Sequence, residues 1–263
     1  MANNAESEAL VGPGIVELRR AVEGLGAEVR ALRELAVRTP ADVPERIVRF
    51  RETRVLRVLQ AETPVPLGPG PCLVLHVLPR TAFEDAPSAL DLAAAQFLIF
   101  GSGGSPTFDA NGKLFWPEDW RKPEQRGYAH MTGSGCIEAV ERVGENLNAA
   151  QPERLRVLRA EGLIVDGARE YLNSLTKLGV AGEITIAATL VRVRGLIALV
   201  RSDYDTPRLA IPDDVVPMPA VRVNSAVHEQ DLNKALRPAL DVLWRVGGLP
   251  RCQHYDAEGN YRR

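Results

Sequence analysis

Five arginines lie within twelve residues of one another: Arg46, Arg49, Arg51, Arg54 and Arg57 in the run ERIVRFRETRVLRVLQA. A guanidinium is a fixed fork of donors that matches phosphate or carboxylate. The run therefore has two chemical readings. It could contact nucleic acid or another phosphate, or it could pair internally with carboxylates. Further along, His130 and Cys136 offer a base and a nucleophile, but no third residue is spaced to orient them. Asp203, Asp205, Asp213 and Asp214 offer oxygen ligands for a divalent cation, in a stretch whose prolines equally mark solvated turns. Two glycine stretches suggest phosphate loops. Gly101-Ser102-Gly103-Gly104 lacks the lysine of a Walker loop, and Gly133-Ser134-Gly135 lacks the third glycine of a dinucleotide fingerprint. The second reads better as a hairpin turn. No catalytic set, metal site or cofactor site is assigned on these patterns.

The elements that would carry these residues follow from periodicity. Glu45 to Ala61 holds no proline or glycine, and the cluster Thr63-Pro64 to Pro71 ends it, so a helix is expected. At about 100° per residue, Ile47, Val48, Phe50, Val55, Val58 and Leu59 share one arc. Arg51 and Arg54 point into that arc, where each needs a partner. Arg46, Arg49 and Arg57 lie toward its polar side. Cys72 to Leu78, CLVLHVL, is apolar almost without interruption, the pattern of a strand covered on both faces. His76 sits in its middle and reads as a satisfied core histidine.

Upstream, Ile15, Leu18, Val22, Leu25, Val29, Leu32 and Ala36 recur at alternating spacings of three and four. That is a heptad seam with β-branched residues at one position and leucines at the other, the combination that favours parallel coiled-coil dimers. Residues 1–14 read as a disordered lead, 15–38 as the coiled-coil helix and 43–263 as one globular domain.

Downstream, Phe108 to Phe115 predicts a hairpin turning at Asn111-Gly112. Asp166 to Leu178 predicts a helix with Asp166 as N-cap. Glu183 to Arg201 predicts strands broken at Arg194-Gly195. Glu229 to Val246 predicts a last helix with Leu232, Leu236, Leu240 and Leu243 inward. The fold expected is α+β: a mixed β-sheet domain with about three packed helices, preceded by the coiled-coil helix.

At 263 residues and net charge −2, the chain can bury a sizeable core and presents no global basic field. Cys72, Cys136 and Cys252 lie far apart, without CxxC or Cys/His ligand spacing, which points to a reducing, cytoplasmic setting. No apolar run approaches the ~20 residues needed to span a bilayer. The first ten residues, MANNAESEAL, lack the features of a signal peptide.

The segments ERIVRFRETRVLRVL, ETPVPL and LVLHVLPRTAF resemble the region following the nucleotide-binding domain in bacterial Schlafen/AlbA-type proteins, to which ATP and DNA binding are ascribed. FDANG, GCIEAV, LVRVRG and LRPALDVLWRVGGLPRCQHYDAEGNY extend the resemblance over residues 43–263. The nucleotide-binding half of that family has no counterpart here, and residues 1–42 hold the heptads instead. The resemblance therefore implies no catalytic or nucleotide-binding residue. It implies a non-catalytic interaction, scaffold or regulatory subunit of a bacterial assembly, possessing a homo-oligomeric or heteromeric protein partner and no membrane. A nucleic-acid accessory protein acting through the arginine helix is the alternative, and a metal-dependent hydrolase using the Asp203–Asp214 carboxylates is a third.

Overall fold

In the computed structural model, the described residues are 22, 24, 42–87, 89–95, 106–117, 124–145, 153–200 and 209–262. Cys72–Pro79 forms strand β1, and all eight of its residues are buried. A run this apolar has no face for water, so it must lie inside a sheet with material on both sides. It pairs antiparallel with β5 (Ile137–Arg142) on one edge and β8 (Glu183–Val191) on the other.

The sheet grows outward from that centre. Beyond β5 lie β4 (Gly127–Thr132), β3 (Gly112–Phe115) and β2 (Pro106–Phe108). Beyond β8, β10 (Val215–Pro217) pairs with one half of that strand and β11 (Val221–Asn224) with the other. Every pairing in this eight-stranded sheet is antiparallel. A three-stranded sheet is built from β6 (Gly144–Glu145), β7 (Arg154–Arg156) and β9 (Ile197–Leu199). The parallel β7–β9 pair supplies the mixed character.

Three helices cover the large sheet: α1 (Val43–Leu59), α2 (Val157–Lys177) and α3 (Glu229–Val246). The period of two along each strand divides them. Cys72, Val74, Tyr128, Val140 and Val191 face α1 and pack with its Val55 and Val58. Leu73, Leu75, Val77, Met131, Ile137 and Ala139 face the other way. They join Ile164, Ala168, Tyr171 and Leu175 of α2 and Leu236, Leu240 and Leu243 of α3 in the main core. The result is three layers, with α1 on one face of the sheet and α2 with α3 on the other. The α+β expectation holds.

The hairpins form where their turn residues ask for them. The β4–β5 turn runs through Gly133–Gly135, and Gly135 has φ +91°, a conformation that side chains disfavour. The β2–β3 turn is closed by Asp109, whose Oδ1 accepts the N–H groups of Asn111 and Gly112. Helix α3 has the expected bounds, and its four inward leucines are buried.

Helix α2 starts nine residues before the expected Asp166 N-cap, at Val157. The reason is burial: nearly every position from Ala160 to Ala168 is covered, so no amphipathic period marks the first turns. Gly162 and Gly167 lower helix propensity by about 1 kcal/mol each. Burial of Val157, Leu163 and Ile164, at roughly 1.5–3 kcal/mol per fully buried side chain, outweighs that.

The chain divides into two compact units, Met1–Glu45 and Arg46–Arg263. In the first, Val22 and Gly24 are helical. Among the described residues, no helix is long and apolar enough to cross a membrane.

Candidate functional site

Helix α1 buries Ile47, Val55 and Val58 against the sheet. Val48, expected on the same arc, is 46% exposed. Arg54, one turn before Val58, reaches into the interface. Its Nε donates to Glu138 Oε2 at 2.8 Å and its Nη2 to Oε1 at 2.5 Å. Glu138, on β5, is only 3% exposed and accepts two further hydrogen bonds. The Tyr128 hydroxyl donates to Oε1 at 2.6 Å. His76 Nε2 lies 3.1 Å from Oε2, as expected for residues directly opposite in the β1–β5 register. An ionised carboxylate only accepts, so His76 donates from Nε2. The Phe50 ring packs edge-on against that imidazole, with centroids 6.0 Å apart.

Four donors outweigh the burial that opposes ionisation, and Arg54 and His76 hold the Glu138 carboxyl far below the usual carboxylate range. In return, the hydrogen bonds to Glu138 raise the pKa of Arg54. The network carries a buried, saturated charge pair that fastens α1 to the sheet. His76 is thus a core histidine, satisfied at Nε2 but with no partner for its buried Nδ1 among the described residues.

The other arginines of α1 are placed differently. Arg46 donates to the Phe83 carbonyl at 2.8 Å and to Asp85 at 3.0 Å. Arg51 is half-buried, burial lowers its pKa, and its Nε has no hydrogen-bond partner among the described residues. Arg49 and Arg57 are exposed. The five therefore do not present a single basic face.

A second carboxylate network lies on the opposite face of β5. Glu141, 2% exposed, binds Arg159 of α2, and Arg126 at 3.1 Å. Here burial prevails over both arginines, and the Glu141 pKa is raised.

A third network centres on Glu161 of α2, which is fully buried. Its Oε2 accepts the Trp244 indole N–H at 3.0 Å. Its Oε1 is approached by His254 Nδ1 at 2.8 Å, the Tyr261 hydroxyl at 2.9 Å and Cys252 Sγ at 3.5 Å. The carboxylate oxygen, imidazole nitrogen and thiol sulfur of Glu161, His254 and Cys252 all lie within 4.8 Å of one another. Among the described residues this is the group with the chemistry and spacing to hold a metal ion. The expectation of no Cys/His ligand spacing fails here. Cys252-Gln253-His254 is such a spacing, and its third member, Glu161, comes from a helix and stands 91 residues before Cys252.

Other candidates from the sequence resolve individually. His130 Nε2 lies 3.3 Å from Asp109 Oδ1. Cys136 is buried beside the hairpin turn, and burial pushes its thiol up to about 12, which leaves no thiolate at neutral pH. Asp213 and Asp214 lie in the approach to β10. Asp203, Asp205 and Gly101–Gly104 fall outside the described residues, as do Ile15, Leu18, Leu25, Val29 and Leu32. Val22 alone of the seam is described, helical and 62% exposed.

No family model, curated protein or solved structure matches the chain.

Proposed function

We propose that this chain is a non-catalytic interaction or regulatory subunit that associates, with itself or with a protein partner, through its N-terminal helix. The observation carrying this reading is Val22. It occupies a seam position of the heptad pattern, is helical, and leaves 62% of its surface in water. An exposed apolar side chain such as Val22 is stabilised by burial against a second helix, at about 25 cal/mol per Å² of apolar surface removed from solvent. The separation of Met1–Glu45 from Arg46–Arg263 as compact units supports a dedicated association element. A bacterial regulatory or defence assembly as its setting rests on family analogy alone.

Light scattering on the full chain tests this. A mass above the 28.7 kDa of one chain, falling to that value in Val22→Asp, is expected if the chain self-associates. If both proteins are monomeric, homo-oligomerisation is excluded. The heteromeric form then requires a stoichiometric protein captured from the native host by the full chain and lost with Val22→Asp.

A second reading, nucleic-acid contact through α1, draws on Arg51, whose buried Nε lacks a partner among the described residues, and on the exposed Arg49 and Arg57. It predicts a salt-dependent shift of labelled DNA or RNA that the variant Arg49→Ala/Arg51→Ala/Arg57→Ala loses. No shift at low salt removes it.

A further inference from the structure

The segment after α3 folds back so that three different side chains converge on one oxygen. Glu161 Oε1 meets His254 Nδ1, the Tyr261 hydroxyl and Cys252 Sγ at 2.8, 2.9 and 3.5 Å. A carboxylate oxygen has two lone-pair sites, so three donors exceed what it can saturate. The excess is relieved if a cation takes the centre of the cluster. Carboxylate, imidazole and thiolate then each direct a lone pair of their own at the ion.

We propose that Glu161, Cys252 and His254 are the protein ligands of a structural zinc site, with Tyr261 closing its fourth side. One oxygen, one nitrogen and one sulfur suit zinc, whereas magnesium and calcium take oxygen ligands. A tetrahedral zinc site with ordinary bond lengths has ligand–ligand edges of roughly 3.3–3.7 Å. The Sγ–Oε1 separation of 3.5 Å is already in that range, and the Nδ1–Oε1 separation of 2.8 Å must open by about half an ångström.

The surrounding groups orient the ligands as metal sites require. Trp244 Nε1 fixes Glu161 through Oε2 and leaves Oε1 for the ion. Asp241 Oδ1 accepts the Cys252 backbone N–H at 2.8 Å and sets the start of the Cys-Gln-His turn. The His254 side chain is 25% exposed and gives the ion its way in. On binding, the Cys252 S–H bond breaks, a zinc–sulfur bond forms and the proton leaves to solvent. The His254 proton that faces Glu161 from Nδ1 is given up to solvent while Nε2 takes one up, so the imidazole binds through the freed Nδ1 and carries its proton on Nε2. The site joins α2, the end of α3 and the segment through Tyr261, so zinc stabilises the closing part of the fold.

The test uses the full chain, stripped with a chelator and titrated first with Zn²⁺ and then with Co²⁺. Expected are one equivalent of zinc at micromolar or lower concentration and a thiolate-to-cobalt charge-transfer band. Zinc also raises the thermal midpoint of the stripped protein. Cys252→Ser abolishes the band, and His254→Ala weakens zinc binding at least about tenfold. The His254 variant, altered at the most exposed ligand, keeps the test decisive if Cys252→Ser fails to fold. Absence of binding at micromolar metal overturns the proposal and leaves Glu161 in a hydrogen-bond network only. So does a cobalt spectrum without the thiolate band, or wild-type affinity in a folded His254→Ala.

Discussion

Arg54 and Glu138, 84 residues apart in sequence, form a two-pronged ion pair between helix α1 and the middle of the large sheet. The Glu138 side chain is 3% exposed and that of Arg54 18%. Removing one partner strands the other charge in a poorly solvated place, which costs about 3–5 kcal/mol for a buried pair. Glu138→Gln is expected to destabilise the chain by that amount in urea unfolding. The double variant Arg54→Met/Glu138→Gln should recover part of the loss, because no charge is then left buried. A double variant that adds the two single losses would show that the residues do not act as a pair.

The same carboxyl sets the acid side of the stability profile. Its folded pKa lies below its unfolded value, so its contribution is complete above the ordinary carboxylate range, about pH 4 in an unfolded chain. It is lost as pH falls from there toward the folded value. Urea unfolding free energies measured from pH 7 down to pH 3 should decline for the wild type. Glu138→Gln should decline less, so the two curves converge at low pH. Parallel curves would mean that Glu138 does not titrate between folded and unfolded states as its partners require.

How far these elements were legible depends on what covers them. Strand β1 declared itself through an unbroken apolar run, and α3 through leucines at helical spacing on one face. Helix α2 was legible only from Asp166 onward, because its first turns are buried on several sides and carry no polar stripe. Arg54 pointed into the apolar arc of α1 and so announced that it needed a partner, but the partner lay on β5 and only packing names it. The Glu161 cluster was hidden for the same reason. Cys252-Gln253-His254 was a visible signal, whereas Glu161 sat inside an apolar stretch of α2 whose packing partner no local pattern specifies.

Glu141 should behave oppositely to Glu138. Burial raises its folded pKa above the unfolded value, so ionisation disfavours the folded state as pH rises through that folded pKa. Its partners Arg126 and Arg159 are 55% and 35% exposed, and water takes them over when the charge is gone. Glu141→Gln is expected to cost less than Glu138→Gln at pH 7, because both arginine partners of Glu141 reach water, whereas Arg54 is only 18% exposed. Equal losses in denaturant unfolding would place Glu141 among the buried pairs that the fold cannot spare.

The cysteines give a readout of the intact fold. Burial pushes the thiols up to about 11 for Cys72 and about 12 for Cys136 and Cys252. The thiolate is the reactive form, so in the metal-free chain at pH 8 all three are protonated as well as covered. Ellman's reagent should find no fast-reacting thiol in the native, chelator-stripped chain and three after denaturation. A rapid single equivalent in the native state would mean that one cysteine is reached by local opening, and a cysteine-to-serine series would identify it.

Removing residues 1–41 tests the proposed association element apart from the rest of the fold. The main cores draw on α1, the sheet, α2 and α3, all of which follow residue 42, and the large sheet gains no strand from earlier in the chain among the described residues. The truncated chain is therefore expected to keep the urea midpoint of the full chain within about 0.5 kcal/mol of stability, the scale of a change away from core features. It should be monomeric at every concentration. Loss of the cooperative transition would mean that the seam residues pack on the domain that follows, and the exposed Val22 would then mark no interface. A truncated chain that stays folded and still associates would move the association surface onto residues 42–263.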